Sequence, residues 1–392
     1  MIHTAANRLT RRAMLIGTAA AALLPGLAQG APGHVDRQAA LSAARLRPDT
    51  LAYSAAKSGL LFGSFLASSW LADTAYTQVA NRECSLVYAY GMSPPVTRRL
   101  QSGFDFGIAD SMVAFASANT LAVAGGYLVE HSTAPPWITP ATAREIALAE
   151  LQAIVSATMT HFAGQLDHWI VVNEAFNVPA GNAYGLRSCT WRSTVGGDVG
   201  AGTDYISQAF TAARRADPKA VLVLGEYGIE ADHPDDQRKR EAVLTVLRTL
   251  RRNNVPIDAL GMQAHLHGER RSTSGALDGF LNGVHDLGLK IVIMELDAID
   301  ANLPPEIGSR DAEVAQAMGD FLNVVLQHRI ATSINVWGLS DKYSWYNRKT
   351  TSALVRRKDG LPSRGTVLDE NLARKPAYFA IRDALEAAAR RG

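Results

Sequence analysis

The sequence predicts an α/β fold: a closed (β/α)8 barrel of the TIM type, in a single domain. Three observations predict it. Short apolar runs alternate with longer helical segments, there are eight such runs, and the later ones end 32 to 52 residues apart. That interval suits one strand–helix unit of a barrel, and eight units close the sheet on itself.

The eight candidate strands are GLLFGSFL (59–66), CSLVYAY (84–90), LAVAGGYLVEH (121–131), HWIVVNEAF (168–176), AVLVLGEYG (220–228), IDALGMQAHL (257–266), KIVIMELDA (290–298) and TSINVWGLSD (332–341). Continuous apolar runs of this kind suit parallel strands covered on both faces. Helical spacing marks 142–165, 235–254 and 310–328. The first of these opens with Thr142 three residues before Glu145, the spacing of a capping box. An open doubly wound sheet is the competing architecture. It calls for a glycine-rich phosphate turn after a strand, and no G-x-G-x-x-G occurs.

Residues 1–30 stand apart from this pattern. Arg11 and Arg12 precede an apolar run from Ala13 to Leu24, and the small-residue site Ala28-Gln29-Gly30 follows. This is the layout of a twin-arginine export signal, with cleavage expected near Ala31. An uncleaved membrane anchor is the competing reading, but the run is short for a span and is broken by Gly17 and Pro25. The expected product is periplasmic or secreted, with no stable membrane insertion after signal cleavage. Residues 31–50 then form a lead-in segment, and 51–392 the catalytic domain.

Charge narrows the partners. The whole chain carries +2, and without residues 1–30 it has 36 basic against 37 acidic residues, a net −1. No basic patch appears, which argues against nucleic acid as a partner. No cofactor motif and no metal-binding cluster are found, so no cofactor and no metal are expected. A monomer is expected. Cys84 and Cys189 leave open whether they pair, since export permits a disulfide and two buried thiols fit equally well.

The chemistry gathers where the apolar strands stop. A barrel of this type carries its active site at the C-terminal strand ends. There the sequence places Asn173-Glu174, Glu226-Tyr227, Gln263-Ala264-His265, Glu295-Leu296-Asp297 and Trp337, with Trp345 shortly after. Glu174 and Glu295 lie 121 residues apart, three strand–helix units, so strands four and seven face each other across the rim. Two carboxylates flanking a bond are what glycoside hydrolysis requires: one protonates the leaving oxygen, and the other attacks or activates water. Either glutamate alone would read as a carboxylate at a helix N-terminus. Together, beside polar and aromatic neighbours, they read as catalytic. His265 can hold Glu295 ionised and oriented. Asn173 and Gln263 can bond sugar hydroxyls, and Trp337 and Trp345 offer flat surfaces for sugar rings.

Several of these stretches resemble glycoside hydrolase family 10, the retaining endo-β-1,4-xylanases. WIVVNEAF is similar to the family's W-D-V-V-N-E-A-F, and IMELDA to its T-E-L-D. IDALGMQAHL is similar to I-D-G-I-G-x-Q-x-H, INVWGLSDKYSW to W-G-x-x-D-x-x-S-W, and GGYLVEHSTAPPW to G-H-x-L-V-W-H-x-x-x-P-x-W. The resemblance runs from about residue 50 to the C-terminus. It implies Glu174 as acid/base, Glu295 as nucleophile, net retention, and a carboxyl separation of roughly 5–5.5 Å. It also implies Tyr227 and His131 as substrate contacts.

The departures gather on the side that the family uses to grip the non-reducing sugars. Ala89, Tyr90 and Ser93 stand where the family has E-N-x-x-K, Gly126 where it has His, and Glu130 where it has Trp. After strand five, Gly225-Glu226-Tyr227 replaces N-D-Y. Glu130 and Tyr90 are candidate new contacts. Three functions therefore stay in view: a xylanase, an endo-glycanase or transglycosylase on another β-linked polysaccharide such as a bacterial exopolysaccharide, and a non-catalytic glycan-binding barrel.

Overall fold

The computed structural model describes residues 35–178, 184–197, 202–270, 272 and 275–391; the expected export signal lies outside them. Eight strands form the barrel: β1 (Leu61–Leu66), β2 (Leu86–Ala89), β3 (Ala122–Glu130), β4 (His168–Asn173), β5 (Val221–Glu226), β6 (Ala259–Met262), β7 (Lys290–Ile299) and β8 (Ala331–Val336). Each pairs in parallel with the next, and β8 pairs back onto β1 with Ser333 opposite Leu61. A short strand, His265–His267, continues beyond β6 and sets His265 opposite Asp297 of β7. The helices between strands form the outer shell. Among the described residues no helix is long and apolar enough to cross a membrane.

The helix predicted from Thr142 begins at Arg144, with Ala143 at the N-cap and no side-chain cap. The Thr142 hydroxyl instead accepts from the Thr139 N–H at 2.9 Å. The turn before the helix uses the oxygen that a capping box would need. Helix Pro234–Arg252 follows the expected chemistry: Pro234 opens it, Asp235 and Asp236 lie in its first turn, and Arg251 and Arg252 in its last. Cys84 and Cys189 are both free thiols, so no disulfide joins them.

Two apolar layers are separated by the sheet. The barrel interior holds Leu61, Leu86, Tyr88, Ala122, Ala124, Ile170, Val223, Ala259, Val292 and Met294. Met294 fits across it because two strands carry no side chain there. A Cβ on Gly261 would lie 2.1 Å from the Met294 sulfur, and one on Gly225 would lie 2.9 Å from its methyl carbon. The same cluster takes in Ala40, Leu41 and Ala44 of helix Arg37–Ala44. Arg37 secures that helix, donating to Asp167 at 3.0 Å and to the Thr332 carbonyl, both at strand starts. Helix Arg37–Ala44 thus closes the end of the barrel opposite the site.

Three bulges decide what enters the mouth. Between β3 and β4, three steps on β3 (Gly126 to Val129) match two on β4 (Ile170 to Val172). Between β4 and β5, those two steps match a single one, Val223 to Leu224. Between β7 and β8, three steps (Ile293 to Leu296) match two (Ile334 to Val336). An extra residue reverses the alternation of faces beyond it. On β3 the inward positions run Ala122, Ala124 and then Tyr127. On β4 Ile170 is followed inward by Asn173, and on β7 Met294 is followed by Glu295 and Asp297.

Beyond β8, a loop network of buried charges carries the chain back over the mouth. Lys375 Nζ lies 2.9 Å from Asp341, which also accepts from Thr366 Oγ1 at 2.7 Å. Arg364 pairs with Asp311 at 2.8 Å, and Arg310 with Asp300 at 3.3 Å. Breaking one member strands a buried charge, at a cost of about 3–5 kcal/mol. Lys375→Met is therefore expected to lower unfolding stability by about that amount in urea titrations; a loss below about 1 kcal/mol would mean that Asp341 re-pairs within the network.

Candidate active site

Glu174 follows β4 in a left-handed conformation, φ 53°, and Ala264 after β6 has φ 60°. Such backbone is sparsely populated by residues other than glycine and is held in place by its surroundings. Here the Glu174 N–H donates to the Gly225 carbonyl at 3.0 Å. The side chain turns to Gln263, whose Nε2 donates to Glu174 Oε1 at 3.1 Å and to Asn173 Oδ1 at 3.3 Å. His131 Nδ1 lies 3.5 Å from the other Glu174 oxygen, and Arg187 Nη2 lies 3.9 Å from it. Arg187 also donates to the Glu174 carbonyl at 3.1 Å.

Glu295 sits in different surroundings. Its side chain is 4 % exposed, against 21 % for Glu174. Both of its oxygens are bonded, Oε1 by the Tyr127 hydroxyl and Oε2 by His265 Nε2 at 3.2 Å. The other His265 nitrogen meets Asp297 at 2.7 Å. Asp297 is wholly buried and also accepts from Trp345 Nε1 at 2.8 Å and Tyr346 Oη at 2.6 Å. Burial pushes the Glu295 carboxyl up, opposed by His265 and Tyr127, while Glu174 adds to the rise. Burial alone would lower His265, but the Asp297 and Glu295 carboxylates outweigh it and hold the imidazole well above its ordinary value. Protonated, the ring would donate from both nitrogens, one to each carboxylate.

The structure gathers most of the residues singled out in the sequence. Glu174, Glu295, Asn173, Gln263, His265 and His131 meet directly or through one neighbour. The Trp337 ring lies 4.3 Å from that of Phe65, tilted by 38°, and 6.5 Å from the His265 ring, while Trp345 is 5.3 Å from His265. Tyr227 is at the rim, its hydroxyl accepting from Arg187 at 2.9 Å and its ring under Lys239 Nζ at 3.6 Å. A cleft of about 680 Å³ passes Glu174, Tyr227, Gln263, His265 and Trp345.

Glu226 departs from expectation. It is fully buried and bound to Lys239 at 2.7 Å, and it accepts from the Phe176 N–H at 3.0 Å. Strand β5 has no extra residue before its end, so after inward Val221 and Val223 the alternation sends Glu226 to the helix side.

Glu130 does lie at the mouth. Burial, with Glu174 and Glu295 nearby, pushes it up to about 7. Glu130, His131 and Glu174 each offer a donor atom, all within 4.8 Å of one another. These are the residues that could hold a cation, in contrast to the expectation of no metal cluster.

Tyr127 and Arg187 were not singled out, and Asp297 was named at its strand end without a role. Asp297 was legible, since a residue two places beyond Glu295 on a strand shares its face. The glycine pair before Tyr127 was a bulge signal. Nothing in the sequence marks Arg187, which reaches Glu174 from a loop.

The model for glycosyl hydrolase family 10 matches residues 50–384. Endo-1,4-beta-xylanase B of Thermotoga neapolitana is 30% identical over 316 residues, 79% of this chain and 83% of that protein. Endo-1,4-beta-xylanase A of Phanerodontia chrysosporium is 31% identical over 336 residues, 83% of this chain and 74% of that one. Among solved structures, native xylanase 10B from Thermotoga maritima aligns with a TM-score of 0.76 at 27% identity, covering 88% of this chain and 100% of its own. Xylanase 10B from Thermotoga petrophila in complex with xylobiose aligns at 0.75 with 26% identity, covering 87% and 98%.

The electrostatics generate a direct check. Nitrogen chemical shifts of His265 should report a doubly protonated ring through neutral pH, and Asp297→Asn should move its titration downward. An imidazole already neutral at pH 7 in the parent protein would contradict this reading.

Proposed function

The chain belongs to glycosyl hydrolase family 10, and on that premise we propose that it is a retaining endo-β-1,4-xylanase that works through Glu295 and Glu174. The observation that carries the proposal is the contrast between the two carboxylates. Glu295 is buried with both oxygens in hydrogen bonds, one to Tyr127 and one to His265. Glu174 is more exposed and touches Gln263, His131 and Arg187.

In the first step a Glu295 oxygen attacks the anomeric carbon while the bond to the leaving oxygen breaks, and the Glu174 proton passes to that oxygen. In the second, Glu174 takes a proton from water, the water oxygen attacks the anomeric carbon, and Glu295 leaves as a carboxylate. Two inversions give retention. Asn173 supports this reading. Its Oδ1 accepts from Gln263 at 3.3 Å, and its buried amide lies beside the Glu130 carboxylate, whose charged form it favours. A sugar hydroxyl in the cleft would offer that amide a further partner. Trp337, Trp345, Tyr227 and His131 serve as further sugar contacts.

A second reading keeps this chemistry and changes the polymer. It is favoured by Glu130, a half-buried carboxylate close to Glu174 and Glu295 where the family has an aromatic ring. The site then takes another β-linked polysaccharide. The export signal read from Arg11 and Arg12 supports action outside the cytoplasm.

Reducing ends released from linear xylan, decorated xylan and mixed-linkage glucan separate these readings. The parent protein should cut linear xylan, and the first product seen by proton NMR should be the β anomer. Glu174→Gln should lose about 10²–10⁴-fold, and Glu295→Gln should lose detectable cleavage. Cleavage of another polymer but not xylan selects the second reading; a Glu295→Gln variant as active as the parent sinks the catalytic assignment. Arg11→Lys with Arg12→Lys should leave the protein in the cytoplasm, and unchanged export would reject the twin-arginine route.

A further inference from the structure

Tyr127 owes its position to the bulge on β3. With regular alternation after Ala122 and Ala124, residues 126 and 128 would point inward. Instead Leu128 and Val129 pack in the outer layer and Tyr127 packs against the interior cluster. The pinch that permits this is tight: a Cβ on Gly126 would lie 2.6 Å from the Ile170 carbonyl oxygen. The Tyr127 ring is 6.0 Å from that of buried Tyr88, and its hydroxyl donates to Glu295 Oε1.

We propose that Tyr127 is a positioning residue for Glu295: with His265 it fixes the carboxylate by one bond on each oxygen and steadies it as its charge is lost and regained. The inference rests on the proposed role of Glu295. A carboxylate oxygen carries two lone pairs, so one bond on each still leaves an oxygen free to attack. The bond strengthens when the glycosyl–enzyme ester breaks, because charge returns to the carboxylate it serves. Tyr127 keeps its own proton throughout. Burial, and then the nearby Glu295 charge, hold the phenol well above its ordinary value.

The groups that bear on Glu295 are His265 from beyond β6, Tyr127 and Glu130 from β3, Tyr88 from β2 and Glu174 from β4. Of these, Tyr127 and His265 favour its ionised form by direct hydrogen bonds. Removing the phenol should therefore raise the Glu295 titration, and with it the acid limb of the kcat/KM profile.

The test uses Tyr127→Phe in the mature protein. Carbon-13 NMR of the labelled glutamate carboxyls follows Glu295 directly, whether or not a substrate has been found. Reactivation of the enzyme trapped with a 2-deoxy-2-fluoro glycoside follows ester breakdown. The expected results are a Glu295 titration moved to higher pH and reactivation slowed about tenfold, as for loss of one hydrogen bond to a charged group. If Tyr127→Phe does not fold, 3-fluorotyrosine at position 127 keeps the ring and sharpens the donor, and the Glu295 titration should then move to lower pH. Unchanged titration and reactivation overturn the inference while leaving a Glu295-dependent hydrolase intact. Full activity in Glu295→Gln would overturn the proposed function and this inference together.

Discussion

The site depends on a constraint of strand geometry. A strand sends alternate side chains to opposite faces, and in a closed barrel those faces are the interior and the helix shell. An unbroken strand cannot supply two adjacent inward groups, nor change parity between its apolar base and its polar tip. Here β3, β4 and β7 each spend one residue on a bulge. Tyr127, Asn173 and the Glu295–Asp297 pair enter the mouth as a result. Strand β5 spends none before its end, and its glutamate goes to the shell, where Lys239 neutralises it.

With the groups placed, burial and hydrogen bonding set their character. Glu295 in isolation would resist ionisation in so dry a place. His265 opposes that, and Asp297 behind it favours the charged form of the ring. The chain of contacts from Trp345 and Tyr346 through Asp297 and His265 to Glu295 therefore ties an aromatic wall of the cleft to a buried carboxylate. Glu174 lies outside this chain. It rests on neutral Gln263 and on His131, whose pKa is lowered by burial and by Arg187. One carboxylate carries a donor on each oxygen, while the other is half-open and meets Gln263, His131 and Arg187.

The periphery of the mouth explains how this arrangement can serve a divergent member of its family. The loop that brings Trp345 over the site is anchored outside it by the buried pairs around Asp341, Asp300 and Asp311. That anchoring is independent of the strand-two and strand-three ends, where Ala89, Tyr90, Gly126 and Glu130 depart from the family pattern. Contacts on that side can change without disturbing the bonds between Asp297, His265 and Glu295.

Much of this was legible in the sequence. Eight apolar runs at strand–helix spacing pointed to the barrel, because eight strand–helix units close a sheet on itself, and the absence of a glycine-rich phosphate turn set the open sheet aside. The polar ending of those runs determined which rim carries chemistry and which two glutamates stand across it. Motif spacing carried His265, Gln263 and the tryptophans to the same place. What the tertiary structure decided was facing and partnership. Bulges are properties of paired strands, so the inward turn of Tyr127 and the outward turn of Glu226 appear only once neighbours are in register. The closure of the barrel floor by helix Arg37–Ala44 was likewise settled by contacts between segments far apart in the chain, whereas the Thr142 hydroxyl was claimed by the turn three residues before it. Residue order specifies which groups are available, and the packing of strand against strand determines which of them meet.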